Sequence, residues 1–456
     1  MKPSQDVTET VALTAELARY AVNTRYSAHP AVVQKEAVRA FLNWLGCALG
    51  GCSEPAVKLA LAASLEFGGC ARSTVIGDLR RTDMATAAAL NCMSSSILAF
   101  DDAHLATVAH PSGPACAALL AFSETQKVSG PDFLNALILG IEIQCRLANV
   151  LVLPPSRFNV GFYVSGLTAP IGVAAAIGRL LDLDEQRMNW ALGLAASQAS
   201  GFRATHGTMT AHFRPAHATR SGIIAAKLAA LGFTGDDRSL EAEKGFFDVY
   251  SSHADLRPAV TGLGEHYELM SNSYKPYPCG IVIHPTLDAC LEIAEQVGES
   301  ERVCGVRLNV HPLALSLTGV REPATALESH VSLFHWAAAA LIRRKATVAE
   351  MHLDCIRDPE VAALRAKIEA VAHENVGKNQ ALVEVTLTSG RIIGAHVVDV
   401  SGSAAKPLTD HQIRDKFRSL SSNCLTADMT ERLIETCSAI AGLADVGATI
   451  GGMLSQ

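Results

Sequence analysis

The sequence predicts a mainly α protein, a large all-helical domain with a smaller α+β domain inserted before the C-terminal helices. From Val7 to about Val260, apolar residues recur every three or four positions and alanine is abundant, which is the helical period. Strand-like alternation then enters between Val303 and Val400, with Val306, Leu308 and Val310 on one face and a hairpin pattern about Gly390. Beyond the small, polar stretch Ser401–Pro407 the helical period returns. The expected boundaries are 1–264 for the helical domain, 265–402 for the α+β domain and 403–456 for C-terminal helices that complete the first.

Element by element, Pro30 opens a helix whose Val33, Ala37, Val38, Phe41, Leu42 and Leu45 share one face. Asp83 can cap the next, through Ala85, Ala89, Met93 and Leu98, and Ser129-Gly130-Pro131 starts another, Phe133 to Val150. Further helices are expected at Ile171–Leu181, Asp184–Ser200 and His217–Leu231. In the second domain a strand at Val303–Leu315 and a hairpin at Ala381–Val400 flank helices at Ser332–Ile342, Thr347–Met351 and Glu360–Ala372. Helices at Asp410–Leu420 and Asp428–Leu443 follow.

A chain of 456 residues can hold two or more domains with large cores, and 49% apolar with 18% charged residues describes a well-packed protein. Net charge −7 without a basic run argues against a nucleic-acid partner. The N-terminus, Met1 to Asp6, is polar, and no apolar run reads as long enough for a bilayer, so no membrane partner and a cytoplasmic location are expected. The 12 cysteines include no CxxC pair and sit mostly in apolar helical stretches such as Gly46-Cys47-Ala48. Free buried thiols in a reducing compartment follow, not a zinc ribbon or redox dithiol.

Three stretches could carry chemistry. In Ser273-Tyr274-Lys275-Pro276-Tyr277-Pro278-Cys279-Gly280 two closely spaced prolines exclude helix, so Lys275 and Tyr277 point in fixed directions, with His284 and Asp288 just behind. The alternative is a domain hinge with a solvated lysine. In Phe100–Gly113, Asp101, Asp102, His104 and His110 concentrate titratable groups on a loop, as suits proton transfer or a metal, or simply a helix cap. In Thr205–His217, three histidines and Arg214 lie in a glycine-containing interhelical stretch; the Arg214 fork suits a carboxylate, and a solvated loop is the plainer reading. His335 interrupts an apolar helix. No phosphate loop, GxGxxG, HExxH or GxSxG motif is present, and the SxxK match at Ser403–Lys406 falls in the polar linker. Lys275 could carry pyridoxal phosphate only with a phosphate-binding glycine loop, which is missing, so no cofactor and no metal are expected.

Together, Phe100-Asp101-Asp102 with His110-Pro111-Ser112-Gly113, Gly207-Thr208-Met209-Thr210, and Lys275-Pro276-Tyr277-Pro278-Cys279-Gly280 with His284-Pro285 and Asp288-Ala289 resemble the 2-methylcitrate dehydratase (MmgE/PrpD) family. So do Ile171–Ala176 and Leu180–Asp184. The resemblance implies a cofactor-free enzyme, usually a homodimer, with a helical domain, an α+β lid and a site between them for small polycarboxylates. Activities in the family include 2-methylcitrate dehydration, cis-aconitate decarboxylation and iminodisuccinate epimerisation. The family's loop histidine falls on His110 and its lid lysine on Lys275. Other positions of the decarboxylase and dehydratase pattern fall on Ala99, Tyr163, Ala211, Gly280 and His335 in place of Asp, His, Lys, His and Tyr. The resemblance therefore points to the epimerase branch. On that reading Lys275 with Tyr163 or His110 moves the proton. Arg214, His212 and His335, with His284 and Tyr277, bind carboxylates, while Asp101 and Asp102 orient His110 and cap the loop. A lyase and an inactive polycarboxylate-binding paralogue are the alternatives.

Overall fold

A computed structural model of the chain describes residues 11–298 and 300–455; the polar N-terminus and the start of the helical pattern, residues 1–10, lie outside them. The first part is helical: α1 (Leu13–Asn23), α2 (Ala31–Gly51), α3 (Pro55–Leu65), α4 (Met84–Ile97), α5 (Ser112–Ser123), α6 (Gly130–Val152), α7 (Val164–Leu180), α8 (Glu185–Ala196), α9 (Thr210–Ala230) and the short α10 (Phe246–Tyr250). Helix starts follow local capping chemistry: Asp83 accepts from the N–H groups of Ala85 and Thr86, and Ser129 from Asp132. Glycine lets neighbouring helices close up, since a Cβ on Gly172 of α7 would meet the Gly140 carbonyl of α6 at 2.4 Å. Contrary to the sequence expectation, α6 is long and apolar enough to cross a bilayer by length and composition, but 89% of that stretch is buried inside the protein.

Short strands β1 (Ser73–Thr74), β2 (Arg81–Thr82), β3 (Asp102–His104), β4 (Arg157–Phe158), β5 (Ser251–Ser252) and β6 (Asn272–Tyr274) pair two by two between the helices. There follow α11 (His284–Gln296), β7 (Val303–Val310), α12 (Pro312–Thr318), α13 (Ala326–Ser329), α14 (Leu333–Arg343), α15 (Leu353–Ile356), α16 (Pro359–Arg365), β8 (Ile368–Ala372), β9 (Ala381–Leu387) and β10 (Ile392–Val397). The sheet order is β10-β9-β7-β8, antiparallel except for the parallel pair β7–β8. Ile293, Leu308, Trp336, Val361, Val383 and Val385 share one apolar core between the sheet and its helices.

Two expectations change here. The strand that begins at Val303 stops at Val310, because the His311 side chain accepts from Leu313 N–H and Pro312 starts a helix. The helix expected over Glu360–Ala372 ends at Arg365, and Ile368–Ala372 is a strand: its backbone pairs with β7, a tertiary partner that outweighs the helical bias of its alanines. Beyond the sheet, α17 (Asp410–Ser421) and α18 (Ala427–Ser438) pack back on α2, with Phe417 lying against Gly46 and Leu420 against Gly50.

One buried ion pair ties α6 to the segment leading into β6. Arg146 Nε donates to Glu142 Oε1 at 2.6 Å, while its Nη atoms donate to the carbonyls of Thr261 at 2.8 Å, Gly262 at 3.1 Å and His266 at 2.6 Å. Burial pushes the Glu142 carboxyl up to about 7, with Arg146 opposing the shift. Arg146→Met takes the charged partner from that carboxyl, which keeps only the Glu268 N–H, and a donor from each of the three carbonyls, and should cost about 3–5 kcal/mol in urea unfolding; a loss under 1 kcal/mol would remove this pair from the account of stability.

Candidate active site

Antiparallel pairing of β3 with β6 brings the Asp101 loop and the Lys275 loop together, with Asp102 opposite Tyr274 and His104 opposite Asn272. Asp101 and Lys275 thus leave the ladder side by side, and Lys275 N–H donates to the Asp101 carbonyl at 3.3 Å. Lys275 Nζ donates to Asp101 Oδ1 at 2.5 Å, and His110 Nδ1 lies 3.0 Å from Asp101 Oδ2. Burial by itself would raise the Asp101 carboxyl, but the charges of His110 and Lys275 overcome it and hold this group well below the usual carboxylate range. His110 Nδ1 is also 2.8 Å from the Asp102 carbonyl, an acceptor only, so Nδ1 carries hydrogen, and in the neutral form of the ring Nε2 is the nitrogen free to accept a proton. The Asp102 carboxylate accepts from Ser112 and Asn272, which fixes the loop. Burial, and then the Asp101 charge, raise its pKa.

Tyr163, at the start of α7, stacks near His110 with ring centroids 6.4 Å apart. The Arg214 guanidinium lies 4.1 Å from the Tyr163 ring centroid, a cation–π contact. Burial pushes the Tyr163 hydroxyl up to about 12, so it is a donor at neutral pH. The stretch Thr210–His217, expected as loop, is the first two turns of α9, with Pro215 inside the helix. Proline cannot donate to the carbonyl four residues earlier, that of Ala211, and Arg214 Nε donates there instead at 3.0 Å. Arg214 Nη1 donates to the Phe202 carbonyl at 2.6 Å, which leaves Nη2 for a ligand.

These groups face a cavity of about 120 Å³ whose far side is apolar. His206, His212 and His330 also line it, and burial, followed by neighbouring positive groups, lowers each to about 3, so all three are neutral. Of the residues singled out in the sequence, Asp101, His110, Tyr163, His212, Arg214 and Lys275 come together here. The three other residues expected to bind carboxylates do not line the cavity. His335 is turned away by α14, and its Nε2 donates to the Glu350 carbonyl at 2.8 Å. His284 is buried behind Lys275, with Nε2 3.4 Å from the Cys279 carbonyl. Tyr277 donates to Asp288 Oδ1 at 2.6 Å, and the other Asp288 oxygen accepts from Ser401 N–H at 2.7 Å, so the pair fastens the loop. Among the described residues no group of three His, Cys, Asp or Glu side chains is arranged to hold a metal.

Sequence reading missed His330 and Lys416. Lys416 projects from α17 and is half-buried, its Nζ donating to the carbonyls of Phe100 at 2.6 Å and Lys275 at 2.9 Å and to Asn43 Oδ1 at 2.8 Å. It clamps the backbone on both sides of the Lys275–Asp101 pair. The one signal for it is a lysine on an amphipathic helix beside Ile413, Phe417 and Leu420, which are all buried.

A helical frame and a four-stranded sheet unit, with a buried carboxylate–lysine–histidine cluster where β3 meets β6, describe the architecture. The chain matches the N-terminal domain of the MmgE/PrpD family over residues 15–259 and its C-terminal domain over residues 277–440, and it belongs to that family. It is 28% identical to the cis-aconitate decarboxylase of Homo sapiens over 424 residues, 89% of this chain and 87% of that protein. The Mus musculus cis-aconitate decarboxylase is 27% identical over 377 residues, covering 79% of this chain and 76% of the relative. A cis-aconitate decarboxylase-like protein of Aspergillus oryzae is 25% identical over 474 residues, 97% of this chain and 98% of that one.

Two measurements probe the site. Lys416→Met removes the clamp and should lower kcat about 10- to 100-fold with a smaller change in KM, by analogy with the loss from misplaced catalytic groups; an unchanged kcat would free Lys416 of that role. The neutral His212, His284 and His330, the last two buried, stand at about 3, below the ordinary 6.5, so the unfolded chain binds more protons than the folded one between those values. Stability therefore falls as pH drops below 6.5, by up to about 1.4 kcal/mol per pH unit for each ring. Urea unfolding at pH 7 and pH 5 reads this directly, and His330→Gln should reduce the slope.

Proposed function

We propose that this protein is a cofactor-independent enzyme that moves a proton at the carbon beside a carboxylate in a small carboxylic acid, with epimerisation as the net reaction. The observation that carries the reading is Asp101: one buried carboxylate holds an ammonium by one oxygen and an imidazole by the other, at 2.5 and 3.0 Å. A proton donor and a proton acceptor thereby reach the same cavity with their separation fixed. In this reading His110 Nε2 takes the α-proton and Lys275 returns one to the opposite face. Arg214 Nη2 holds the carboxylate, and the Tyr163 hydroxyl donates to the oxygen on which enediolate charge gathers. His212, neutral and bonded to Ser96 across 3.3 Å, supplies a further polar contact. Residues 265–402 serve as a lid that excludes water from the carbanion, and the working unit is a homodimer, as the resemblance implies.

A decarboxylase is the second reading. It draws support from the names of the relatives, and it uses the same donor to protonate the carbon from which carbon dioxide has left. Against it stand Ala99, Tyr163, Ala211 and Gly280, where the decarboxylase pattern carries ionisable groups.

Proton NMR of the protein with methylsuccinate, propylsuccinate or cis-aconitate in D₂O separates the two. Loss of an α-proton signal without carbon dioxide release is the expected result. Carbon dioxide from cis-aconitate with no α-exchange in the saturated acids would replace the epimerase by the lyase. Lys275→Ala should lower turnover at least 10³-fold, as loss of a proton-transfer group does, while circular dichroism stays native; retained turnover would remove Lys275 from the mechanism.

A further inference from the structure

The polar side of the cavity faces hydrocarbon. Ile281 and Val282 from the turn before α11, Leu317 from α12, Leu327 from α13 and Val331 form the apolar wall. Ala99, Ala211 and Gly280 leave it open, since none extends beyond Cβ. A substrate that filled this space with charged groups would set them against surface that cannot solvate them.

The charge balance says the same. The Lys275 ammonium is already met by Asp101 at 2.5 Å. His206, His212 and His330 are neutral through burial. Of the lysines and arginines that line the cavity, Lys275 is paired with Asp101 and Arg214 has no carboxylate within ion-pair distance among the described residues, so the lining offers about one positive charge not already offset. A single carboxylate meets that charge, and a second can share the Lys275 ammonium and the neutral N–H and O–H donors. Acids with three or more carboxylates, citrate-like acids and iminodisuccinate among them, would bury more negative charge than the lining can pair directly.

We propose that the substrate is a small acid with one or two carboxylates and an alkyl arm. Its carboxylate end lies at Arg214 and Lys275, and its arm lies against Ile281, Leu317 and Leu327. This rests on the acid–base reading of the same site.

Isothermal titration calorimetry of the full chain with succinate, propylsuccinate and propane-1,2,3-tricarboxylate tests it. Propylsuccinate should bind more tightly than succinate, by about fourfold for each methylene buried, and the tricarboxylate should bind more weakly than either. Ala211→Lys, which adds a cation to the wall, should reverse the order in favour of the tricarboxylate. A tricarboxylate that binds wild-type protein as tightly as propylsuccinate, no gain from the propyl arm, or no binding of any of the three would overturn the proposal. α-Proton exchange of the same acids in D₂O keeps the two ideas apart. Preference for the alkyl acid without exchange retains the substrate class and removes the reaction; exchange with preference for the tricarboxylate does the opposite.

Discussion

A buried carboxylate holding two nitrogen groups is the constraint around which this protein is arranged. Asp101 is almost out of contact with water, and a lone carboxyl there would take up a proton. Lys275 and His110 together reverse that tendency, and each is in turn fixed by the ion it meets. Because the charges interlock, the backbone that carries them must be placed closely. The β3–β6 ladder does so from one side and the Asp102–Ser112–Asn272 cluster from another.

The helical frame supplies the stiffness that such a cluster needs. Arg146 and Glu142 pin the segment that enters β6, and Lys416 reaches in from a helix that follows the sheet in the chain. Arg214 completes the carbonyl left open by Pro215 and thereby spends one of its own donors on holding its position. Polar groups that would cost free energy unpaired are here used to orient reactive ones.

What could be read from the sequence is what depends on near neighbours. Asp83 and Ser129 were legible as caps because an N-cap needs only its own next three residues. Lys275 stood out because the prolines around it exclude helix, and His110 and Arg214 because titratable side chains gather beside them in the sequence. His335 was misjudged because sequence does not say to which side α14 turns it. Pro215 made the start of α9 look like loop, since the side-chain donor that compensates for it is visible only in three dimensions. Ile368–Ala372 needed β7 as a parallel partner, and Lys416 needed carbonyls 316 and 141 residues away in the chain.

That last distance bears on how the protein comes into being. The loop with Asp101 leaves the ribosome long before residue 416, and at roughly 5–20 residues per second the wait is about 15–60 seconds. During that interval the helices up to α9 can fold on one another, but the carbonyl of Phe100 lacks its lysine and α2 lacks the cover of α17. A nascent chain paused in its sheet-forming segment would therefore display an unfinished pocket beside an open apolar face. Reactive geometry is assembled only as synthesis nears its end, so a truncated product would be inert and exposed to chaperones or proteases.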